Sequence, residues 1–215
     1  MRNGTRQEYR NAKRLTERLD VLHSLPVRSR LARKERSNLM RCWLISDTHN
    51  RHNELHIPED LDVVIFCGDE SASRNPARNE PQARAFFEWY SALDVSVKIF
   101  VLDVLWQMIP DNVDILISHG PPKGYLDVTR DLRLRELIHV GSKSLTQQVK
   151  ERIKPILHAF GHIHDETGVR NFGIVQEAGI TFVNCSCSTR NSRLVNHGIV
   201  VEIDPTTRKL NYQSK

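Results

Sequence analysis

The chain has 215 residues, enough for one large domain, with 39% hydrophobic and 27% charged residues, a globular balance that excludes collagen-like and wholly disordered classes. The net charge of +5 is unevenly spread: residues 1–41 hold twelve Lys+Arg against four Asp+Glu, and the remainder nineteen against twenty-two. A basic segment followed by a slightly acidic body gives no ground for expecting a nucleic-acid-binding fold overall. No run approaches the ~18 apolar residues of a membrane span. The start lacks the apolar core of a signal peptide, and four Cys make no disulfide framework, so a cytoplasmic location is expected.

In chain order, residues 1–40 read as a basic, helical extension. Thr5-x-x-Glu8 has the form of a capping box, and Leu15, Leu19 and Leu22 share a helical face. The bland reading is a solvated arm; the functional one is a contact with an anionic partner, RNA, DNA or anionic lipid. From Arg41 the pattern turns to short apolar runs. Strands are predicted at Cys42–Ser46, Val63–Cys67, Val95–Val101, Val113–Ser118, Ile156–Phe160, Ile180–Cys185, Gly198–Ile203 and Lys209–Tyr212. Helices are predicted over 82–93, where Phe86, Trp89 and Leu93 recur at helical spacing, and over Leu145–Ile153. Helices interleave with strands early and give way to strands late. The expected fold is α/β, a layered sandwich of mixed β-sheets flanked by helices over residues 41–215.

The chemistry-bearing residues fall just past strand ends. Asp47 and His49 follow the first strand, Asp69 the second, His119 the fourth, and His162 and His164 the fifth. In open α/β sheets, sites gather beyond the carboxyl ends of strands. His and Asp are suitable ligands for Zn, Mn and Fe. Asp-x-His or Gly-Asp alone is weak evidence; the ordered set is not. Cys185-x-Cys187, with no second pair, reads as packing on one face of a strand. His52, His56, His139 and His197 read as surface or loop residues, and His158 as structural.

The set Ser46-Asp47-Thr48-His49, Cys67-Gly68-Asp69, Ser118-His119-Gly120-Pro121-Pro122 and Gly161-His162-Ile163-His164 resembles the calcineurin-like metallophosphoesterase superfamily. Within it, the chain looks like the metallophosphoesterase-domain phosphodiesterases over roughly residues 41–205. The resemblance implies a metal-dependent phosphoric ester hydrolase, a phosphodiesterase acting on a phosphate-ester substrate. It implies two divalent ions (Mn, Fe, Zn or Co) and direct attack on phosphorus by a hydroxide bridging them. Asp47, His49, Asp69 and His164 would hold the first ion, and Asp69, His119 and His162 the second, with Asp69 as the bridge. One departure stands out. The family's Gly-Asn-His motif, expected after the third strand, is absent, consistent with an internal deletion between about Val101 and Leu105. Its loss removes an amide ligand and a His that contacts phosphate. That weakens the second metal site and leaves no catalytic residue beyond the ligands. Asp103 and Asp111 are the nearby carboxylates. The rival reading is a non-catalytic or impaired relative that keeps the fold and part of the metal site.

Overall fold

The computed structural model describes residues 39–72, 75–95, 97–100, 109–111 and 113–212. The predicted capping box, the N-terminal helix and the proposed deletion point at 101–105 lie outside the described residues, as does Asp103.

Two sheets form the frame. The first has the order β11-β10-β1-β2-β3, built from β1 (Met40–Ile45), β2 (Val63–Phe66), β3 (Val97–Phe100), β10 (Ile199–Ile203) and β11 (Leu210–Tyr212). The second has the order β4-β7-β9-β8, from β4 (Ile115–Ile117), β7 (Leu157–Phe160), β8 (Gly173–Glu177) and β9 (Ile180–Asn184). Both are mixed. β1, β2 and β3 run parallel, as do β4, β7 and β9, while β10 and β8 add antiparallel strands. A separate antiparallel hairpin joins β5 (Val128–Asp131) to β6 (Glu136–His139).

The period of two along each strand sorts the side chains into layers. Cys42 and Leu44 of β1, with Val63 and Ile65 of β2, face Leu157, Ala159 and Val183 of the second sheet, so the sheets pack face to face. The alternate residues Trp43, Ile45, Val64 and Phe66 face outward. They pack against Phe86, Tyr90 and Leu93 of the segment that contains helix α1 (Pro76–Ala92). On the far side, Leu116, Phe160 and Phe182 pack against Leu145, Val149 and Ile153. These belong to helix α2 (Lys143–Gln147) and the π-type turn that continues it over Gln148–Ile153. The layers run helix, sheet, sheet, helix, the sandwich anticipated from the sequence.

Several boundaries differ from expectation. Helix α1 begins at Pro76, well before the apolar stripe, because the Asn75 side chain accepts the Ala77 N–H and Pro76 takes the first helical position. Pro81 sits inside it. The β5–β6 hairpin and β8 were not anticipated, since their residues are mostly exposed and carry no alternating apolar pattern. Cys185 and Cys187 do not share a strand face. They lie beyond the end of β9, Cys185 between the sheets and Cys187 on the α1 side. All four cysteines are free and buried.

Candidate metal centre

The loops that leave β1, β2, β4 and β7 are stitched together by their own backbones. Asp47 N–H donates to Gly68 carbonyl (2.9 Å), His49 N–H to Asp69 carbonyl (3.4 Å), and Gly161 N–H to His119 carbonyl (2.9 Å). Asp47, His49, Asp69 and His162 all adopt positive φ, between 45° and 70°. Such backbone is unfavourable for non-glycine residues and persists where surroundings over-determine it, commonly at functional sites. Two glycines permit the close approach. A Cβ on Gly161 would overlap the Asp47 carboxylate and the Ser46 side chain, and one on Gly68, at φ +105°, would meet His119 Nδ1 at 2.9 Å.

Asp47 is the hub. Its side chain is fully buried. One oxygen accepts the His162 N–H (2.9 Å) and the other lies 3.1 Å from His164 Nε2. Two clusters of ligand atoms form around it, Asp47–His49–His164 and Asp47–Asp69–His119. His162 belongs to neither cluster but lies beside the second, its Nδ1 3.1 Å from His119 Nε2. Five of the six sequence-predicted ligands therefore fall within the two clusters, and His162 borders them. In this arrangement Asp47 belongs to both clusters, whereas the resemblance gave the bridging role to Asp69. Asp69 lies 3.7 Å from His49 Nδ1, and its side chain is 37% exposed. Asp111 is not at the site; it pairs with Arg152 (2.6 Å).

The residues suit cations on their own chemistry. Nδ1 of His49 contacts the Ser71 carbonyl (3.2 Å), that of His119 the Cys67 carbonyl (3.0 Å) and that of His164 the Thr189 carbonyl (2.9 Å). A carbonyl only accepts, so each Nδ1 carries the hydrogen. In the neutral ring, Nε2 is then a bare lone pair. These lone pairs point at one another: His49 Nε2 and His164 Nε2 lie 3.4 Å apart, beside the Asp47 carboxylate. A pocket of converging acceptors, each ring oriented from behind by a carbonyl, is the usual surrounding of a bound cation. Sequence reasoning missed these orienting groups, because carbonyls of Ser71, Cys67 and Thr189 leave no residue-type signal.

The electrostatics follow the same geometry. Burial pushes the Asp47 carboxyl up, but the His164 hydrogen bond, nearby histidine charge and the His162 N–H overcome it, leaving it at about 2. Burial and the adjacent Asp47 charge hold Asp69 above the usual carboxylate range, against the pull of His49. Burial and His119 press His162 down. For His164, burial acts downward and the Asp47 contact outweighs it, so its pKa rises; in the protonated ring Nε2–H donates to Asp47, and a cation bound there would displace that proton to reach the lone pair.

Behind the ligands, Asn184 Nδ2 donates to the carbonyls of Leu126 (3.0 Å) and Ile163 (2.9 Å), and Asn171 Nδ2 to those of Val128 (2.8 Å) and His164 (2.9 Å). His158 is structural, as expected. It is fully buried, with its Nε2 2.9 Å from Ser118 Oγ, which itself donates to Gly120 carbonyl (2.8 Å). His52 is buried against Phe86 and Trp89, not at the surface. His139 is half-exposed and pairs with buried Asp127.

No protein-family model matches the chain. Over 103 residues, 48% of this chain and 28% of the relative, it is 41% identical to metallophosphoesterase domain-containing protein 1 of Homo sapiens. The Mus musculus protein of the same name matches equally. The matched stretch thus spans little more than a quarter of these curated relatives. A solved structure of a conserved uncharacterized protein, a predicted phosphoesterase from Streptococcus pneumoniae, has 16% identity and a TM-score of 0.38, covering 77% of this chain and 84% of that one. The relatives and the converging Asp/His set together support the resemblance to the calcineurin-like metallophosphoesterase superfamily.

Proposed function

We propose that the chain is a metal-dependent phosphoesterase, acting on phosphodiesters, with the Asp47–His164 cluster as its principal cation site. The observation that carries this reading is the set of Nε2 lone pairs on His49, His119 and His164, each fixed by a carbonyl and gathered around buried Asp47. Asp47, His49 and His164 would hold one divalent ion; Asp69, His119 and His162, with Asp47, would hold a second. Mn, Fe, Zn and Co all suit these ligands. Such ions supply a water of lowered pKa and charge to offset the phosphate oxygens.

The protein's own contribution is positional. Backbone bonds between the Asp47, Asp69, His119 and His162 loops fix the spacing of the ligands, and Gly161 lets the His162 turn close over Asp47. More exposed Asp69 and His162 form the solvent side, where an ester would approach. The basic residues 1–40 form a separate extension in this reading, and residues 41–215 the catalytic domain.

A second reading has one specific observation behind it: the sequence contains no Gly-Asn-His. If that His serves as the general acid, its loss removes a contribution of roughly 10²–10⁴-fold, and the chain becomes a metal-binding relative with impaired turnover. Hydrolysis of bis-p-nitrophenyl phosphate across added Mn²⁺, beside the Asp69→Asn variant, separates the two. Metal-dependent turnover lost in the variant is the expected result. A folded, metal-loaded protein with no turnover above the variant favours the impaired relative. Unchanged hydrolysis by Asp69→Asn removes the site assignment itself.

A further inference from the structure

The β5–β6 hairpin carries apolar side chains that the core does not use. Leu132 is 71% exposed, Leu134 63%, Leu137 52% and Val140 41%. Four large aliphatic residues left open within nine positions exceed the scattered surface leucines of an ordinary domain. Basic residues alternate with them: Arg130, Arg133 and Arg135 are exposed, and none has an ion-pair partner among the described residues. Of the acids between them, Asp131 is engaged in the turn, its carboxylate accepting the N–H groups of Arg133 (2.7 Å) and Leu134 (3.1 Å).

The tip is held in place by its base. Buried Asp127 accepts the N–H groups of Gly124 (3.1 Å) and Gly141 (2.8 Å) and pairs with His139. Asn171 bonds both the N–H and the carbonyl of Val128, and Glu166 accepts the Arg130 N–H (2.6 Å). The apolar residues are therefore presented without an ordering cost at the moment of contact.

We infer that this hairpin docks on an anionic lipid surface, its leucines entering the headgroup layer and its arginines meeting lipid phosphates. Adsorption of this kind scales with apolar area plus attraction to anionic lipid. The chemistry disfavours other occupants. Nucleic acid would call for aromatic side chains to stack on bases, and residues 128–142 contain no Phe, Tyr or Trp. A second copy of the chain would need roughly 800 Å² per partner for a stable interface, more than one short hairpin tip offers. No described helix is long and apolar enough to cross a membrane. The hairpin base shares Asn171 with the His164 backbone. Docking there would bring headgroup phosphodiesters towards the metal centre, a substrate class that rests on the proposed hydrolytic reading.

The test is co-sedimentation of the full chain with vesicles of phosphatidylcholine alone or mixed with phosphatidylserine. A Leu132→Ser/Leu134→Ser variant, which alters no charge, and an Arg133→Ser/Arg135→Ser variant run alongside. Wild type is expected to bind the mixed vesicles, and each variant to bind them roughly tenfold less, with unchanged thermal unfolding midpoints. Wild type that ignores the vesicles overturns the inference. So does a leucine variant that binds as wild type, which would hand binding to the basic residues 1–41. A wild-type dimer in sedimentation that the leucine variant dissociates would make the occupant a second copy and also overturn it. Hydrolysis of bis-p-nitrophenyl phosphate by the same preparations keeps the two readings apart. Vesicle binding without turnover supports the hairpin and defeats the hydrolytic reading; turnover without vesicle binding defeats the hairpin alone.

Discussion

His158 should impose a pH dependence on stability that one substitution removes. Its ring is fully buried between Phe160 and Phe182. Nε2–H donates to Ser118 Oγ, and Nδ1 has no hydrogen-bond partner among the described residues. Burial pushes its pKa down to about 3 from an ordinary 6.5. The folded protein thus keeps His158 neutral where the unfolded chain would protonate it. The stabilisation is complete above the unfolded pKa and is lost as pH falls from about 6.5 towards 3, because the unfolded state then binds the extra proton. At pH 5 the gap of about 1.5 units below 6.5 corresponds to about 2 kcal/mol relative to pH 8, at 1.36 kcal/mol per unit. His158→Gln places an amide N–H near the position of Nε2 and cannot titrate. Urea unfolding of wild type and variant at pH 8, 7, 6 and 5 gives the difference directly, and the other titrating groups cancel between the two proteins. The wild type should lose about 2 kcal/mol more than the variant between pH 8 and pH 5. Parallel stability curves for the two proteins would refute the argument and mean that the native state accommodates the charge.

Two further outcomes follow from the centre. Asp47→Asn removes the hub of both ligand clusters. At about 100 times its dissociation constant, Mn²⁺ should stabilise wild type by about 2.7 kcal/mol and leave the variant's unfolding midpoint unmoved; an equal shift in both would show that the ion binds elsewhere. Gly161→Ala drives a Cβ into the Asp47 carboxylate and Ser46. The overpacking should cost about 1–3 kcal/mol in chemical unfolding and weaken Mn²⁺ binding measured by calorimetry. An alanine variant with wild-type metal affinity would mean that the His162 turn can move away without disturbing the ligands.

Much of the frame was legible because its strands are short apolar runs ending in turn residues. β1, β2, β7 and β9 are buried on both faces, and such strands announce themselves by composition alone. The six ligands were legible for a related reason: each is a polar residue placed immediately after such a run, and strand ends converge. The β5–β6 hairpin was not legible. Val-Thr-Arg-Asp and Glu-Leu-Ile-His have no apolar alternation, and what holds them is distant: Asn171 on Val128 and Glu166 on Arg130. Nor could spacing reveal that Asp47, rather than Asp69, would belong to both ligand clusters. The Asp47 carboxylate is placed by groups far off in the chain, the His162 N–H 115 positions away and His164 Nε2 117 away. The orienting carbonyls behind the histidines are backbone groups, which every residue possesses.

The position of the centre at the seam between the sheets makes it a clasp as well as a site. Asp47, His49 and Asp69 arrive from one sheet and His119, His162 and His164 from the other. An ion held by Asp47 and His164 would join positions 117 apart in the chain. Treated as a cross-link, closing a loop of that length takes about 5 kcal/mol of freedom from the unfolded chain. Such a link is reversible and responds to chelators, unlike a disulfide, and suits a chain whose thiols are all free. Metal supply would then set how long the two halves of the sandwich stay together, and the domain's resistance to proteolysis would become a gauge of its metal content.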